Sequence, residues 1–503
     1  MSASQEKKNR STLRSEGTDK KAKAAEEKAV KDKKFRRNAI IIAVIAVVVI
    51  AAAIVINSNL FYTGFTAVTI GDTKYNAAEV SCYYRLAYSS IYNSLNETYG
   101  DLASYILSTD TPLDEQQYSA DQTWADYIYE QTLDNMQQVT VLCKEAEKNG
   151  FTLPEENAQS VENSVATLQY YATVNGYPTL DSFLATNYGG QGVTEKVYRK
   201  VCTQMALADA YATHIQDSYT YSDSQLEDYY SANADDLDYF SYYMYYFSTS
   251  NERYTIVESD EEKAAKAHED AMTLLEDMDV EDFTARAAEF SGSELTLSVA
   301  QGSQLNSVYR DWMLDPSRAE GDMTVIDNEG GSYAVCFMAR ENNDYNMVNM
   351  RHVLFNAVAD ENGNVTDAAL EEAEMKANDV LVQYLADPTE DNFAQLANDY
   401  SEDTGSNTTG GLYENVIKHQ MVDSINDFLF NEGSQPGDTT VVYGGNGSYE
   451  GYHAVLYVSD GENLRQKMAS SAMLESDYNS YLETLKAASP LTVGSGMKFA
   501  TVK

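Results

Sequence analysis

The sequence predicts an α+β protein with a single N-terminal transmembrane helix, a helical domain and two tandem α/β domains. Three observations predict this: an unbroken apolar run at residues 39–56, apolar residues at helical spacing over much of 66–235, and a stretch of about 110 residues that occurs twice. With 503 residues, the chain is also too long for one ordinary hydrophobic core.

The N-terminal sequence predicts a tail followed by a membrane anchor. Residues 1–38 carry 13 Lys and Arg against 6 Asp and Glu and almost no large apolar side chains, which predicts a basic, disordered tail. Residues 39–56 would form a helix of roughly 27 Å, about the thickness of the hydrocarbon layer. The cationic flank at 33–37 places the tail in the cytoplasm and the rest of the chain outside. A cleaved signal peptide remains the alternative, although the long basic segment favours an anchor.

Charge changes sign after the anchor. The tail carries +7 of a total of −43, so the remainder carries −50. This excludes nucleic acid as a partner and favours cationic ones. The four cysteines are scattered without metal-ligand spacing, and no HExxH motif or Ser/His/Asp order is present. We therefore expect no cofactor and no metal.

The region from residue 60 to 235 is predicted to be mostly helical. A short strand at 67–75 leads into a helix that Asn76 and Glu79 would cap, and further helices are expected near 121–148, 155–174 and 193–217. Their apolar residues recur at helical spacing, which is more typical of a core than of a cofactor site.

Residues 236–345 and 346–460 repeat one pattern. Phe283 and Ala287 recur 110 residues later, where Phe290 is replaced by Tyr400, and Asp311, Gly321-Asp322 and Thr324 recur 116 residues later. Tyr333 then aligns with His453 at an offset of 120 residues. An offset that grows only at turns is what loop insertions in a shared fold produce. The second copy has His352 where the first has Met244 or a neighbouring Tyr, and Asp403 falls on Ser293. The first copy is thus predicted to keep the fold and to lack the polar residues.

Four motifs mark the second copy: RHVLF (351–355), FAQLANDYSEDTGS (393–406), GGLYENVIKHQM (410–421) and GYHAVLYV (451–458). Two of the five histidines, His352 and His453, lie on its first and last strands. These strands can easily be sheet neighbours, which would bring both imidazoles into one site.

This set of motifs resembles the parvulin family of peptidyl-prolyl cis/trans isomerases (PPIases), in the form found in PrsA/SurA-like extracytoplasmic foldases. The resemblance implies two parvulin-like α/β domains, the first degenerate, behind a helical chaperone-like domain (60–235) that the C-terminal segment 461–503 completes. It implies His352, Asp403 and His453 as catalytic residues. A proline pocket would consist of Leu412, Met421, Ile425 and Phe430. Ile425 stands where the family usually has Phe, and a Gly-rich insertion (443–450) replaces a segment in which Thr and Ser or Tyr are common.

The implied function is isomerisation of X-Pro bonds in unfolded, newly secreted proteins, outside the cell membrane. Such catalysis needs an apolar pocket and polar groups that favour the twisted amide, and no nucleophile or metal. The alternative is a non-catalytic holdase that uses both parvulin folds as binding surfaces for unfolded chains. A wall-associated binding protein is a third hypothesis, supported only by the acidic, Tyr-rich composition. Assembly as a homodimer is left open.

Overall fold

A computed structural model describes residues 3–56, 59–254, 259–276, 280–292, 295–360, 363–445 and 449–502. The helices are α1 (Ala3–Ile56), α2 (Leu60–Thr63), α3 (Ala77–Tyr99), α4 (Ala103–Ile106), α5 (Trp124–Lys148), α6 (Glu155–Val174), α7 (Leu180–Asn187), α8 (Glu195–Gln216), α9 (Asp223–Ala232), α10 (Ala234–Leu237), α11 (Asp260–Leu274), α12 (Val280–Ser291), α13 (Arg310–Met313), α14 (Asp367–Ala386), α15 (Glu390–Tyr400), α16 (Asp423–Phe430) and α17 (Leu464–Ala488). The strands are β1 (Thr66–Ile70), β2 (Thr73–Asn76), β3 (Gln117–Ser119), β4 (Gln122–Thr123), β5 (Tyr239–Ser248), β6 (Ser298–Gln301), β7 (Met323–Asn328), β8 (Gly331–Glu341), β9 (Asn346–Asn356), β10 (Leu412–Val416), β11 (Thr439–Gly445), β12 (Glu450–Asn463) and β13 (Leu491–Val493).

The predicted transmembrane segment lies in the second part of α1. The side chains of its last six residues, 51–56, fall outside the described residues. In the part of the chain that the structure describes, no helix is both long enough and apolar enough to cross a membrane.

The chain forms two compact units, Met1–Tyr219 with Tyr478–Lys503, and Thr220–Asp477. In the first unit, helices α3, α5 and α8 pack beside an antiparallel sheet of order β13-β1-β2. Helix α3 begins at a capping box in which Asn76 and Glu79 exchange backbone-to-side-chain hydrogen bonds, as the sequence predicts. Strand β13 pairs with β1 (Val68 opposite Val493), so the C-terminus contributes a strand to the N-terminal unit.

The second unit contains two four-stranded sheets of the same strand order, β6-β5-β8-β7 and β10-β9-β12-β11. Turns at equivalent places also use the same hydrogen bonds. In the first sheet Gly321 N–H donates to Phe337 O and Phe337 N–H to Asp322 O, and in the second sheet Gly437 and Asp438 make the same pair with Tyr457. These positions differ by the offsets of 116 and 120 found in the sequence. The two copies therefore share one fold.

The boundaries between units differ from those the sequence suggested. Residues 220–235 and 461–477 belong to the second unit, although we expected them in the helical domain. A small apolar cluster explains the difference, because Leu226 and Tyr230 of α9 bury against Ala469 of α17. Arg465 also lies over the Tyr230 ring and pairs with Glu227. Helical periodicity predicts these helices but not which neighbour their apolar faces cover.

Candidate active site

Strand register brings the two histidines together. His352 of β9 lies opposite Val455, and His453 of β12 lies opposite Leu354. The histidines are therefore diagonal neighbours on one face of the sheet, the distance that aromatic side chains can bridge. Their Nδ1 atoms are 3.1 Å apart, and their rings stack with centroids at 5.3 Å. Both side chains are buried.

A turn after α15 brings Asp403 to the same place. The Ser401 hydroxyl accepts a hydrogen bond from the Leu354 N–H, and Glu402 N–H donates to the Leu354 carbonyl, which fixes the turn against β9. Gly411, with φ +68°, returns the chain beside His352, whose N–H donates to the Gly411 carbonyl at 2.9 Å. A Cβ at Gly411 would collide with the His352 carbonyl oxygen. The Gly-Gly motif is needed for this close approach.

The side chains form one hydrogen-bonded network. The His352 Nε2–Asp403 Oδ2 distance is 2.8 Å, and Tyr449 Oη lies 3.2 Å from His453 Nε2. An ionised Asp403 accepts from His352 Nε2–H, which leaves the His352 Nδ1 as an acceptor for His453 Nδ1–H. His453 Nε2 then accepts from the Tyr449 hydroxyl. One set of tautomers therefore satisfies every member of the network.

Asp403 carries the negative charge of this network. Its carboxylate also accepts from the hydroxyls of Ser406 (2.5 Å) and Tyr413 (3.0 Å). Burial raises the pKa of Asp403, but hydrogen bonds from Ser406, His352 and the Gly405 N–H outweigh burial and lower it to about 2. Burial lowers the pKa of His352, against the opposing effect of Asp403. Burial and then His352 lower the pKa of His453 to about 4. At neutral pH the site holds one carboxylate and two neutral imidazoles.

These pKa shifts predict an acid-sensitive domain. His453 takes up a proton near pH 4 when folded but near 6.5 when unfolded. Between these values the unfolded state binds more protons, so the free energy of unfolding falls as pH is lowered, by about 3 kcal/mol in total. Asp403 contributes stability that is lost from about pH 4 down to about 2. Denaturant titrations from pH 7 to 4.5 should show the advantage of wild type over His453→Asn shrinking steadily. A pH-independent difference would contradict the assigned ionisation.

A cavity of about 310 Å³ opens beside the network. Its lining comprises His352, Leu354, Asp403, Tyr413, Gln420, Met421, Val422, Ile425, Tyr449 and His453. The volume is at the lower end for small-ligand sites, and the lining combines apolar side chains with the polar network. Within the described ranges, no group of three His, Cys, Asp or Glu side chains is placed to hold a metal ion.

Two of the four predicted pocket residues line the cavity, and two do not. Met421 and Ile425 lie in its wall, and Ile425 is fully buried. Leu412 does not line the cavity, because side chains alternate along β10 and the neighbouring Tyr413 faces the network. Phe430 instead packs edge-on against Tyr345, with ring centroids 5.6 Å apart.

The sequence prediction also missed Ser406, Tyr413 and Tyr449. Ser406 lies three residues after Asp403, and its hydroxyl contacts both Asp403 and His352 Nε2 (3.3 Å). A hydroxyl close to a predicted carboxylate in a Gly-containing turn was an available signal for it. Tyr449 lies in the Gly-rich insertion, where the sequence gives no periodicity from which its direction could be derived. Residues 446–448 of this insertion lie outside the described residues.

The first copy has an aromatic cluster at the equivalent place. Strand register settles the counterpart of His352, since Met244 lies opposite Val335 just as His352 lies opposite Val455. Tyr333, the counterpart of His453, stacks on Tyr246 at 4.3 Å. The three side chains carry no ionisable group other than phenols. The predicted counterpart of Asp403, Ser293, lies outside the described residues.

The family comparison agrees with this geometry. A family model described as PPIC-type PPIASE domain matches residues 333–455, which include His352, Asp403 and His453. The matched span runs from β8 of the first copy into β12 of the second copy, and over this span the chain is similar to PPIC-type, or parvulin-type, PPIase domains. The match covers less than half of the chain and ends within β12. Among curated proteins, no relative matches the chain.

Solved structures that the chain is similar to come from bacterial foldases. A peptidylprolyl isomerase (PrsA) from Bacillus anthracis aligns at 15% identity and a TM-score of 0.19, over 29% of this chain and 59% of that chain. The foldase PrsA from Streptococcus pneumoniae aligns at 10% identity and a TM-score of 0.24, over 74% of this chain and 90% of that chain. A SurA-like chaperone from Campylobacter jejuni aligns at 11% identity and a TM-score of 0.17, over 38% of this chain and 71% of that chain. The parvulin-type assignment of 333–455 rests on the family model and on the residues it matches.

Proposed function

We propose that this protein is an extracytoplasmic folding factor whose second parvulin copy catalyses cis/trans isomerisation of X-Pro bonds in unfolded proteins. The observation that carries the proposal is the cavity beside the His352–His453–Asp403 network within a PPIC-type domain. The cavity is large enough for a proline ring, and His352, His453 and Asp403 all line it.

The chemistry follows from the amide itself. Rotation about an X-Pro bond crosses a barrier of about 20 kcal/mol because the planar amide is conjugated. The planar form has more charge separation than the twisted form, so transfer of the bond from water into an apolar cavity disfavours the planar form. Met421, Val422 and Ile425 would hold the ring, and the neutral imidazoles with the Asp403 carboxylate would provide a fixed field beside the rotating carbonyl.

Tyr449 supplies a positioning hydroxyl in this proposal. The Tyr449 ring packs against the His453 ring with centroids 5.8 Å apart, and its Oη lies 3.2 Å from His453 Nε2. Tyr449 therefore provides a hydroxyl beside His453, although the usual Thr/Ser segment is replaced. We expect Tyr449→Phe to lower kcat/KM for an X-Pro peptide about fivefold, the equivalent of one hydrogen bond of about 1 kcal/mol, with KM little changed. The matched control is Tyr443→Phe, whose hydroxyl contacts Glu450, and neither residue lines the cavity. Equal rates for both variants would exclude a role for Tyr449.

The first copy would act as a binding surface without catalysis. Its counterparts of the two histidines are Met244 and Tyr333, which can provide apolar contact but not the charged network. A client bound to one copy would have a raised effective concentration at the other copy of the same chain. The first copy could therefore hold a client while the second isomerises its X-Pro bond.

Membrane attachment forms part of the proposal and rests on the sequence alone. Eighteen apolar residues at 39–56 follow a cationic flank, which favours an anchor with its N-terminus in the cytoplasm and the bulk of the chain outside.

A refolding assay tests the proposed function as a whole. The probe is a denatured protein whose slow refolding phase is limited by X-Pro isomerisation, which takes tens of seconds uncatalysed. We expect the full chain, in detergent, to shorten this phase in proportion to its concentration. Suppressed aggregation without any change in the slow phase would contradict the isomerase and favour the holdase.

A further inference from the structure

A second cavity system lies in the N-terminal unit, whereas the PPIase site belongs to the other unit. Two cavities, of about 370 and about 220 Å³, adjoin between α3, α5 and α8. Asn135 of α5 and Met205 of α8 line both of them, so the two cavities are neighbours along α5. We refer to this pair of cavities as the α5 groove.

Three carboxamides of α5 face this groove: Gln131, Asn135 and Gln138. Their spacing of four and three residues places them on one side of the helix. None of the three side chains has a hydrogen-bond partner in the part of the chain that the structure describes. Along the helix they span about 10 Å, which equals about three residues of an extended chain. A carboxamide offers a donor and an acceptor, the same pair that a peptide group offers.

The other walls fit the side chains of a peptide. Leu142 and Ala208 line one end and Leu86 and Ile91 the other, which gives apolar surface at both ends. Tyr83 also lines the groove, is 2% exposed, and has a buried hydroxyl that makes no hydrogen bond within the described residues. Because this hydroxyl is closed to solvent, Tyr83 contributes to the wall of the groove and offers a ligand no hydrogen bond.

The charge of the groove selects among peptides. Asp209 lines it, and no cation pairs with this carboxylate among the described residues. By contrast, the nearby acidic residue Asp134 is paired with Lys486. The chain after the N-terminal tail carries −50, so the field around the groove also favours a cationic ligand.

We propose that the α5 groove binds an extended client segment that carries Lys or Arg, with the carboxamides on its backbone and Asp209 on a basic side chain. This deepens the proposed function, because it states which unfolded segments the folding factor holds. The groove and the PPIase cavity belong to different units, and the groove needs no proline in its ligand.

The test uses the full chain in detergent and a dye-labelled, proline-free nonapeptide in which three lysines alternate with valines and threonines. Fluorescence anisotropy gives its Kd, and a second peptide has glutamates in place of the lysines. We expect saturable binding of the lysine peptide and binding at least tenfold weaker for the glutamate peptide. Asn135→Leu should weaken binding of the lysine peptide at least fivefold, and Asp209→Asn should reduce the preference between the peptides. The matched control is Asn163→Leu, an exposed residue on α6, which should leave the Kd unchanged.

Three outcomes would overturn the proposal: no saturable binding of the lysine peptide up to about 1 mM, no preference for lysine over glutamate, or a preference that Asp209→Asn leaves unchanged. Asp209 is exposed, so its variant remains informative if Asn135→Leu fails to fold. Because the peptides lack proline, failure here leaves the isomerase proposal standing. A missing rate increase in the refolding assay would, in turn, leave the groove standing.

Discussion

His352→Ala is expected to lower kcat/KM for isomerisation of a short X-Pro peptide by about 100-fold, the effect of removing one preorganised polar group from an active site. His352 is the central member of the network, since it contacts both His453 and Asp403. Its removal leaves the Asp403 carboxylate without its imidazole donor and His453 without a partner for Nδ1. The measurement is a coupled or NMR exchange assay on protein whose circular dichroism matches that of wild type.

Asp403→Asn provides a second variant in case His352→Ala unfolds the domain. It keeps the shape of the side chain and removes its charge, and we expect a loss of at least tenfold. The matched control is His268→Ala in the first copy, whose imidazole is exposed and contacts Asp327. Full activity in both His352→Ala and Asp403→Asn would show that the network takes no part in catalysis.

Gly411→Ala is expected to have the second largest effect. Alanine at φ +68° costs about 1 kcal/mol, and its Cβ would in addition collide with the His352 carbonyl oxygen. We expect the free energy of unfolding of the domain to fall by about 3 kcal/mol or more. Isomerase activity should fall as well, because the strand that carries His352 must shift. Denaturant titration and the peptide assay measure the two effects.

Gly363→Ala is the control that separates the collision from the backbone conformation. Gly363 has φ +82°, but a Cβ there would meet nothing within 4 Å. It should therefore cost only about 1 kcal/mol and leave the activity unchanged. Equal destabilisation by the two variants would show that the close approach of Gly411 to β9 is unimportant.

Many site residues of the second copy could be predicted because they lie in short sequence motifs. His352 and His453 lie on the first and last strands of this copy, so their presence in one site followed once the two strands were taken as neighbours. Asp403 came from the resemblance, and its geometry fits because Ser401 fixes the turn on β9. Ile425 and Met421 likewise occupy positions on or next to an amphipathic helix.

The remaining site residues depend on register and loop conformation, which the sequence does not encode locally. A shift of one residue exchanges the faces of a strand, so Leu412 and Tyr413 were equivalent candidates until the pairing of β10 with β9 was known. Tyr449 lies in a Gly-rich insertion, and Phe430 packs against Tyr345 at the end of α16. The same dependence explains why Met244 could be named as the counterpart of His352 only from the pairing of β5 with β8.

Acceleration of cis/trans exchange in a short X-Pro peptide by the wild-type chain tests the central claim most directly. NMR exchange spectroscopy measures the rate without any coupled enzyme, and the full chain in detergent is compared with the same chain carrying His352→Ala. The account predicts a rate increase proportional to wild-type concentration and nearly absent for the variant. An unchanged exchange rate at saturating wild-type protein would contradict it, and the two parvulin folds would then serve only to bind unfolded chains.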